Sequence, residues 1–268
     1  LFLNTRYALL ISYVGTSFVG WQRQKHHPLS IQQVLEEAFF AVTQEKIYCI
    51  SSGRTDSGVH ACAQVVHCSL QKPWIPERLQ LACNALLPKT IRILKIKTVS
   101  SEFHAQRSAL KKQYSYYFQQ GLASLPYYEP YTWWIRKHLN IEKMQQSANF
   151  LVGIHDFKSF QSSGTLVRST VREIIEAKVS IQLPNFPDFM SMDKSFYLVR
   201  LCLVGTGFLK QMVRTIAGSI LQVGECKKSP LWIKKILDSK DRSNAGVAAP
   251  ARALWLEKVW YSDHFDLF

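Results

Sequence analysis

Little in this sequence would serve a membrane, a metal or an extracellular scaffold. Its 268 residues contain no apolar run near the roughly 20 that cross a bilayer. The apolar start at residues 7–13 is too short and continues into polar sequence, so a soluble, cytoplasmic protein without a secretion signal is expected. Cys49, Cys62, Cys68, Cys83, Cys202 and Cys226 form no Cys-x-x-Cys pair and have no histidine at zinc-finger spacing. That argues against a metal site or a disulfide framework and for free thiols in a reducing compartment. No Gly/Ser-rich linker divides the chain. Acids are scarce, with 19 Asp and Glu against 33 Lys and Arg, which leaves a net charge of +14. Such an excess costs self-repulsion in the folded state and points to a polyanionic partner.

A hydrophobic content of 47% supports a globular fold, and the length allows one large or two medium domains. Basic residues are interleaved with aromatics, as in Lys111-Lys112-Gln113-Tyr114-Ser115-Tyr116-Tyr117. Cations reach phosphates and rings stack on unpaired bases, so this mixture suits RNA.

Periodicity predicts a strand over 6–14 and then a helix from Ser30 to about Thr43, with Ser30 and Gln33 as a capping-box pair. Strands follow over 47–52 and 64–70, then a helix opened by Pro76 and stopped by Pro88, then a strand over 91–99. Strand, helix, strand, strand, helix, strand is the split βαβ, ferredoxin-like order. The second half repeats it: a strand over 112–119, with 131–136 extending it or pairing beside it, and a helix from an Asn140 cap to a Gly153 C-cap. Strands over 171–182 and 196–204 flank a Pro- and Met-containing loop. A helix led by Gly207 carries Phe208, Met212, Ile216, Ile220 and Val223 on one face, Ser229-Pro230 starts a short extra helix, and 254–261 is the last strand. The expected architecture is α+β: two ferredoxin-like (βαββαβ) halves whose mostly antiparallel sheets abut or fuse, with helices on one side and an active-site cleft between the halves. The domains are 1–105 and 106–268.

Between the second and third strands stands Gly53-Arg54-Thr55-Asp56-Ser57-Gly58-Val59-His60-Ala61. Its glycines can take positive φ and turn the backbone sharply, holding the Asp56 side chain out from the sheet edge. On spacing alone the same string could be an ordinary turn with an Asx-type bond.

The string resembles the catalytic loop of the TruA family of tRNA pseudouridine synthases, and the likeness covers nearly the whole chain. Tyr13 to Gln24 is similar to the family's opening motif, with Val14 where Asp is common. Ser30-Ile31-Gln32, Asn84-Ala85-Leu86-Leu87-Pro88 and Phe103-His104-Ala105 are similar too, although Gln106 and Arg107 depart from the usual Arg followed by an aromatic. Lys112-Gln113-Tyr114-Ser115-Tyr116 resembles the basic-x-Tyr-x-Tyr strand, His155-Asp156-Phe157-Lys158-Ser159-Phe160 the Asp-Phe-x-Ser-Phe turn, and 208–224 the Met-Val-Arg helix. Residues 248–256 resemble the C-terminal motif, with Ala253 in place of the usual Gly and an expected tightening of the pocket floor.

The resemblance implies isomerisation of uridine to pseudouridine on the 3′ side of the tRNA anticodon stem-loop, at positions 38–40, by a homodimer whose protomers share one tRNA. The reaction breaks the N1–C1′ bond, turns the uracil and rejoins it through C5, so no cofactor and no metal is expected. Asp56 would be the essential carboxylate, acting on the base, at C1′ or at the C2′ proton. Arg214 would keep it ionised; without the resemblance it reads as a surface arginine. Tyr114 would lie on the target uracil and take the C5 proton. Arg54 would help extrude the nucleotide and fill the vacated space, and Lys112 would contact the substrate. His60 is expected to be structural. Two other readings stand beside this one: a related synthase acting on another RNA, and an RNA-binding protein without catalysis, against which the intact Asp56, Tyr114 and Arg214 argue.

Overall fold

The apolar start of the chain becomes β1 (Thr5–Tyr13), and the repeat after Ser30 becomes α1 (Ile31–Thr43). These elements belong to a computed structural model in which residues 4–25, 29–164, 167–182 and 196–268 are described. Ser30 caps α1, its Oγ accepting from the Gln33 amide at 3.3 Å. The reciprocal half of a capping box is missing, because the Gln33 amide group donates forward to Glu37 at 2.8 Å instead. Ile31, Leu35, Ala38 and Phe39 are buried as their spacing predicts. Each large one contributes about 2 kcal/mol by leaving water.

The chain forms two compact units. The first comprises residues 1–112 and 255–268, the second 113–254. In the first, β2 (Ile50–Ser51) is shorter than the run at 47–52 predicts, and β3 (His60–Leu70) begins four residues earlier than its predicted start. His60 and Ala61 are therefore strand residues, and the irregular loop is 52–59. α2 (Pro76–Leu86) opens on its proline, and β4 (Ile91–Val99) follows. The strand order β4-β1-β3, with β2 on the free edge of β3, is that of a split βαβ unit. β1 runs antiparallel to both β3 and β4. β10 (Leu254–Trp260) pairs with β3 in parallel at the other end of that edge, Trp255 opposite His60, while β2 meets β3 at His67. Ala8, Val65, Phe103 and Ala105 form a buried cluster under the terminal residues Tyr261, Phe265 and Leu267.

In the second unit the order is β5-β9-β8-β7, built from β5 (Lys111–Gln120), β7 (Gly153–Asp156), β8 (Val171–Gln182) and β9 (Tyr197–Gly205). β6 (Trp133–Ile135) pairs beside β5 in parallel. α3 (Ile141–Asn149) is capped by Asn140, which accepts from the Lys143 amide at 2.9 Å. It stops before Gly153, which at φ 111° opens β7 and does not cap the helix. The loop expected between β8 and β9 lies, over 183–195, outside the described residues.

α4 (Met212–Gly224) begins five residues after Gly207, the expected start. Gln211 sits at φ 61°, a left-handed conformation that breaks the helical path, and Phe208 packs on the Tyr114 ring instead of joining the helix face. Nor is α4 apolar on one face only. All its residues are buried except Arg214 and Gln222, so it is a core helix. α5 (Leu231–Ser239) is the short extra helix. No helix among the described residues is long and apolar enough to cross a membrane.

Candidate active site

The 52–59 loop is fixed by its main chain. Ser52 N donates to Val65 O at 2.8 Å, and Gln64, fully buried on β3, donates from its side chain to Gly53 O at 2.8 Å. The Thr55 hydroxyl is 2.8 Å from that of Tyr13 in the buried interior, and Thr55 O accepts from Trp21 N at 3.1 Å. Val59 N closes a turn onto Asp56 O at 3.1 Å, with Gly58 at φ 78° as the third residue, the position where a side chain would be strained. On the other side Gly58 N and the Ser57 hydroxyl both donate to Phe18 O, at 3.3 and 3.1 Å. Asp56 is thus presented, half-buried, from a backbone bonded immediately before and after it. Arg54 in the same loop is exposed.

Gly53 does not take the positive φ expected of it. A Cβ there would lie 3.1 Å from the Lys112 ammonium, which donates to Ser52 O at 2.6 Å and would have to give by a few tenths of an ångström. Lys112 therefore lies under the loop that carries Asp56. Burial lowers its pKa from 10.5 to about 8. The unfolded chain keeps this proton to about pH 10.5 and the folded one releases it near 8, so Lys112's contribution to stability rises with pH between those values. Thermal melts should show the melting temperature of the native protein gaining on that of Lys112→Met from pH 8 to 10. A constant difference would place the ammonium in water.

His60 is structural, as expected. It is fully buried, its Nδ1 accepts from Gly15 N at 3.0 Å, and its ring stacks on Trp255 at 4.3 Å. Gly15 is required there, since a Cβ would lie 2.0 Å from Val59 O. Tyr13, Gly15 and Trp21 all hold the loop. In the sequence they stand out only as members of a motif, because their partners lie more than 30 residues away.

In the second unit Tyr114 is buried on β5, edge-on to Phe208 with ring centres 5.0 Å apart. Two residues on, Tyr116 is a core tyrosine, fully buried, its hydroxyl donating to Pro250 O at 2.9 Å. Tyr117 is half-buried. Arg214 lies in the first turn of α4, where its Nε donates to Ala249 O at 2.7 Å and its own carbonyl accepts from Ala249 N at 3.0 Å. The C-terminal motif can lie this close because the helix presents small residues: a Cβ on Gly218 would be 2.0 Å from Val247 O. Tyr116 and Arg214 end on consecutive carbonyls, so the 249–250 segment ties the Tyr114 strand to the Arg214 helix. The unusual Ala253 is fully buried in the turn that follows, and Gln106 is exposed in a turn whose amide donates to His104 Nδ1 at 3.2 Å. Among the described residues no group of three or more His, Cys, Asp or Glu is placed to hold a metal ion.

The family described as tRNA pseudouridine synthase matches this chain over residues 9–106 and 148–262. The tRNA pseudouridine synthase A of Bdellovibrio bacteriovorus is 38% identical over 268 residues, with 98% of each chain covered. That of Clostridium kluyveri is 38% identical over 94% of this chain and 98% of its own, and that of a Thermoanaerobacter species 35% identical over the same shares. The chain belongs to the tRNA pseudouridine synthase family of the TruA type. Asp56 and Arg214 lie inside the matched segments, whereas Lys112 and Tyr114 fall between them.

Proposed function

We propose that this protein is an enzyme that isomerises uridine to pseudouridine in tRNA, on the 3′ side of the anticodon stem-loop, with Asp56 as the essential carboxylate. The observation that carries this reading is 38% identity to a tRNA pseudouridine synthase A over 98% of both chains. Incubating the protein with unmodified tRNA and mapping the modified nucleotides tests it. Pseudouridine at 38–40 is the expected product, and modification elsewhere, or only in another RNA, would favour a related synthase of different target.

The reaction needs a carboxylate at the ribose or the ring, a surface to hold the detached uracil, and a group that takes the C5 proton. Asp56 supplies the first from a loop that need not reorganise. Arg214 serves as its counter-charge, since a partly desolvated carboxylate is costly without a paired cation. Its Nε bond to Ala249 O fixes the guanidinium plane, which favours a directed contact over a mobile charge. Tyr114 lies against the uracil and its hydroxyl takes the C5 proton, while Arg54, exposed beside Asp56, fills the space the flipped nucleotide leaves. Lys112 supports the loop and reaches substrate phosphate. Two copies of the chain share one tRNA, in the cytoplasm.

Tyr114→Phe keeps the ring and removes the hydroxyl, so tRNA affinity should change little while the complete isomerisation slows by about 100-fold or more. Equal losses in Phe and Ala variants would leave stacking as the only role, and a normal rate in Phe would remove Tyr114 from the proton step. If the +14 charge neutralises about six phosphates, affinity for tRNA should fall linearly on a log–log plot, by about 1,000-fold between about 50 and 200 mM salt. A nearly flat plot would mean that the charge serves something other than backbone contact.

A further inference from the structure

Two buried polar side chains on α1 have no part in the chemistry above. Gln32 is 1% exposed and Glu36 is 7% exposed, one turn apart on a helix whose other buried positions are nearly all apolar. A buried carboxylate is costly unless its bonds are made, so the partners of Glu36 say what it is there for.

Those partners lead in two directions. Glu36 Oε1 accepts from the Gln32 side chain at 2.9 Å and from the Cys49 amide at 3.0 Å, while Oε2 is 3.4 Å from the Arg23 guanidinium. The Gln32 amide can point only one way. Its oxygen accepts from Arg23 N at 3.0 Å and from the Gln22 side chain at 2.9 Å, and its nitrogen faces the Glu36 carboxylate. A flipped amide would set N–H against N–H and carbonyl against carboxylate. Along the first branch Gln32 N also donates to Trp21 O at 3.0 Å, and Ile31 N to Gly20 O at 3.1 Å. The residues so fastened hold Asp56's neighbour: Trp21 N donates to Thr55 O, and a Cβ on Gly20 would lie 2.7 Å from that same oxygen. Along the second branch Cys49 leads directly through β2 into Ser52 and the start of the loop. One carboxylate is bonded to both segments that flank the Asp56 loop, which are 26 residues apart in sequence from Arg23 to Cys49.

We propose that Glu36 is a positioning residue that, with Gln32 as its relay, holds the Asp56 loop in register from both sides. The inference rests on the reading that Asp56 carries the chemistry. A carboxylate about 1 Å out of place can lose about 100-fold in rate, although no group that touches the substrate has changed. Glu36 itself meets no reacting atom.

The test is single-turnover isomerisation at saturating tRNA, with tRNA affinity and melting temperature measured on the same samples. Glu36→Met keeps the volume but removes both bonds to Oε1. Glu36→Gln can keep them, because one carbonyl oxygen can accept from Gln32 and from Cys49. Glu36→Met should slow the single turnover by about 100-fold with affinity within about threefold, and Glu36→Gln should stay within about threefold of the native rate. A native rate in Glu36→Met with only a lowered melting temperature would reduce Glu36 to a structural residue and overturn the proposal, as would a Gln variant as slow as the Met one. If Glu36→Met does not fold, hydrogen exchange in the native protein gives the answer: Trp21 and Cys49 amides held as one unit should share a protection factor within about threefold, and a spread beyond about tenfold overturns it. Activity retained by Asp56→Asn would remove the reading on which this rests. An inactive Asp56→Asn beside a normal Glu36→Met would remove only the role of Glu36.

Discussion

Asp56→Asn is expected to lose isomerisation by about 10,000-fold or more while keeping its fold and most of its tRNA affinity. The amide has the size of the carboxylate but can be neither a charged nucleophile nor a base. Groups other than the carboxylate also hold the loop. Trp21 N donates to Thr55 O and Gly58 N to Phe18 O, and the Thr55 and Tyr13 hydroxyls pair; the substitution touches none of these three. Melting temperature and tRNA affinity near the native values beside a dead enzyme would separate chemistry from folding. Retained turnover, with deamidation back to Asp excluded by mass spectrometry, would remove Asp56 from the reaction.

Arg214 carries the second large effect. Replacement by Lys leaves a point charge on a flexible stem, without the planar fork or the Nε donor now bonded to Ala249 O. A loss of about 100-fold is expected for Lys and about 1,000-fold for Ala, in the range of removing one preorganised charged group from an active site. Affinity separates the possible causes. A slow single turnover at saturating tRNA with near-native affinity is expected of a group that acts on Asp56. Weaker tRNA binding with a native rate at saturation would make Arg214 a phosphate contact, and the ion pair would have to be given up. Because Arg214 also fastens 249–250 to α4, the Ala variant needs its melting temperature beside its rate.

Local pattern carried much of the fold. The start of α1 at Ser30, the Pro76 and Asn140 helix starts and the strand–helix order of the first half depend on residues within one turn of each other, and there the pattern holds; in the second half β7 intervenes, and the last strand pairs with β3. The pattern fails where a distant neighbour decides. Gly53 faces the Lys112 ammonium and does not take a positive φ. Phe208 leaves the α4 pattern for Tyr114, and Arg214, on solvent-facing spacing by the sequence, stands on a helix that is buried nearly all round. The short strands β2 and β7 carry too few residues to show a period. Gln32 and Glu36 are the plainest case: periodicity counts polar residues as facing water, and only the tertiary structure shows that their partners are Arg23 and Cys49. In the candidate site the loop that presents Asp56 was legible as a motif. The bonds that hold it, to Tyr13, Gly15 and Trp21, cross more than 30 residues and have no local signature.

The most direct test of the whole account is release of tritium from tRNA labelled at uridine C5, measured with the purified protein and no added cofactor. Moving the glycosidic bond to C5 expels the hydrogen there, so each turnover frees one tritium into water. Release should be stoichiometric with pseudouridine formed in the anticodon stem-loop and absent in Asp56→Asn. Binding of tRNA with no tritium release from any uridine would contradict it and leave an RNA-binding protein without catalysis.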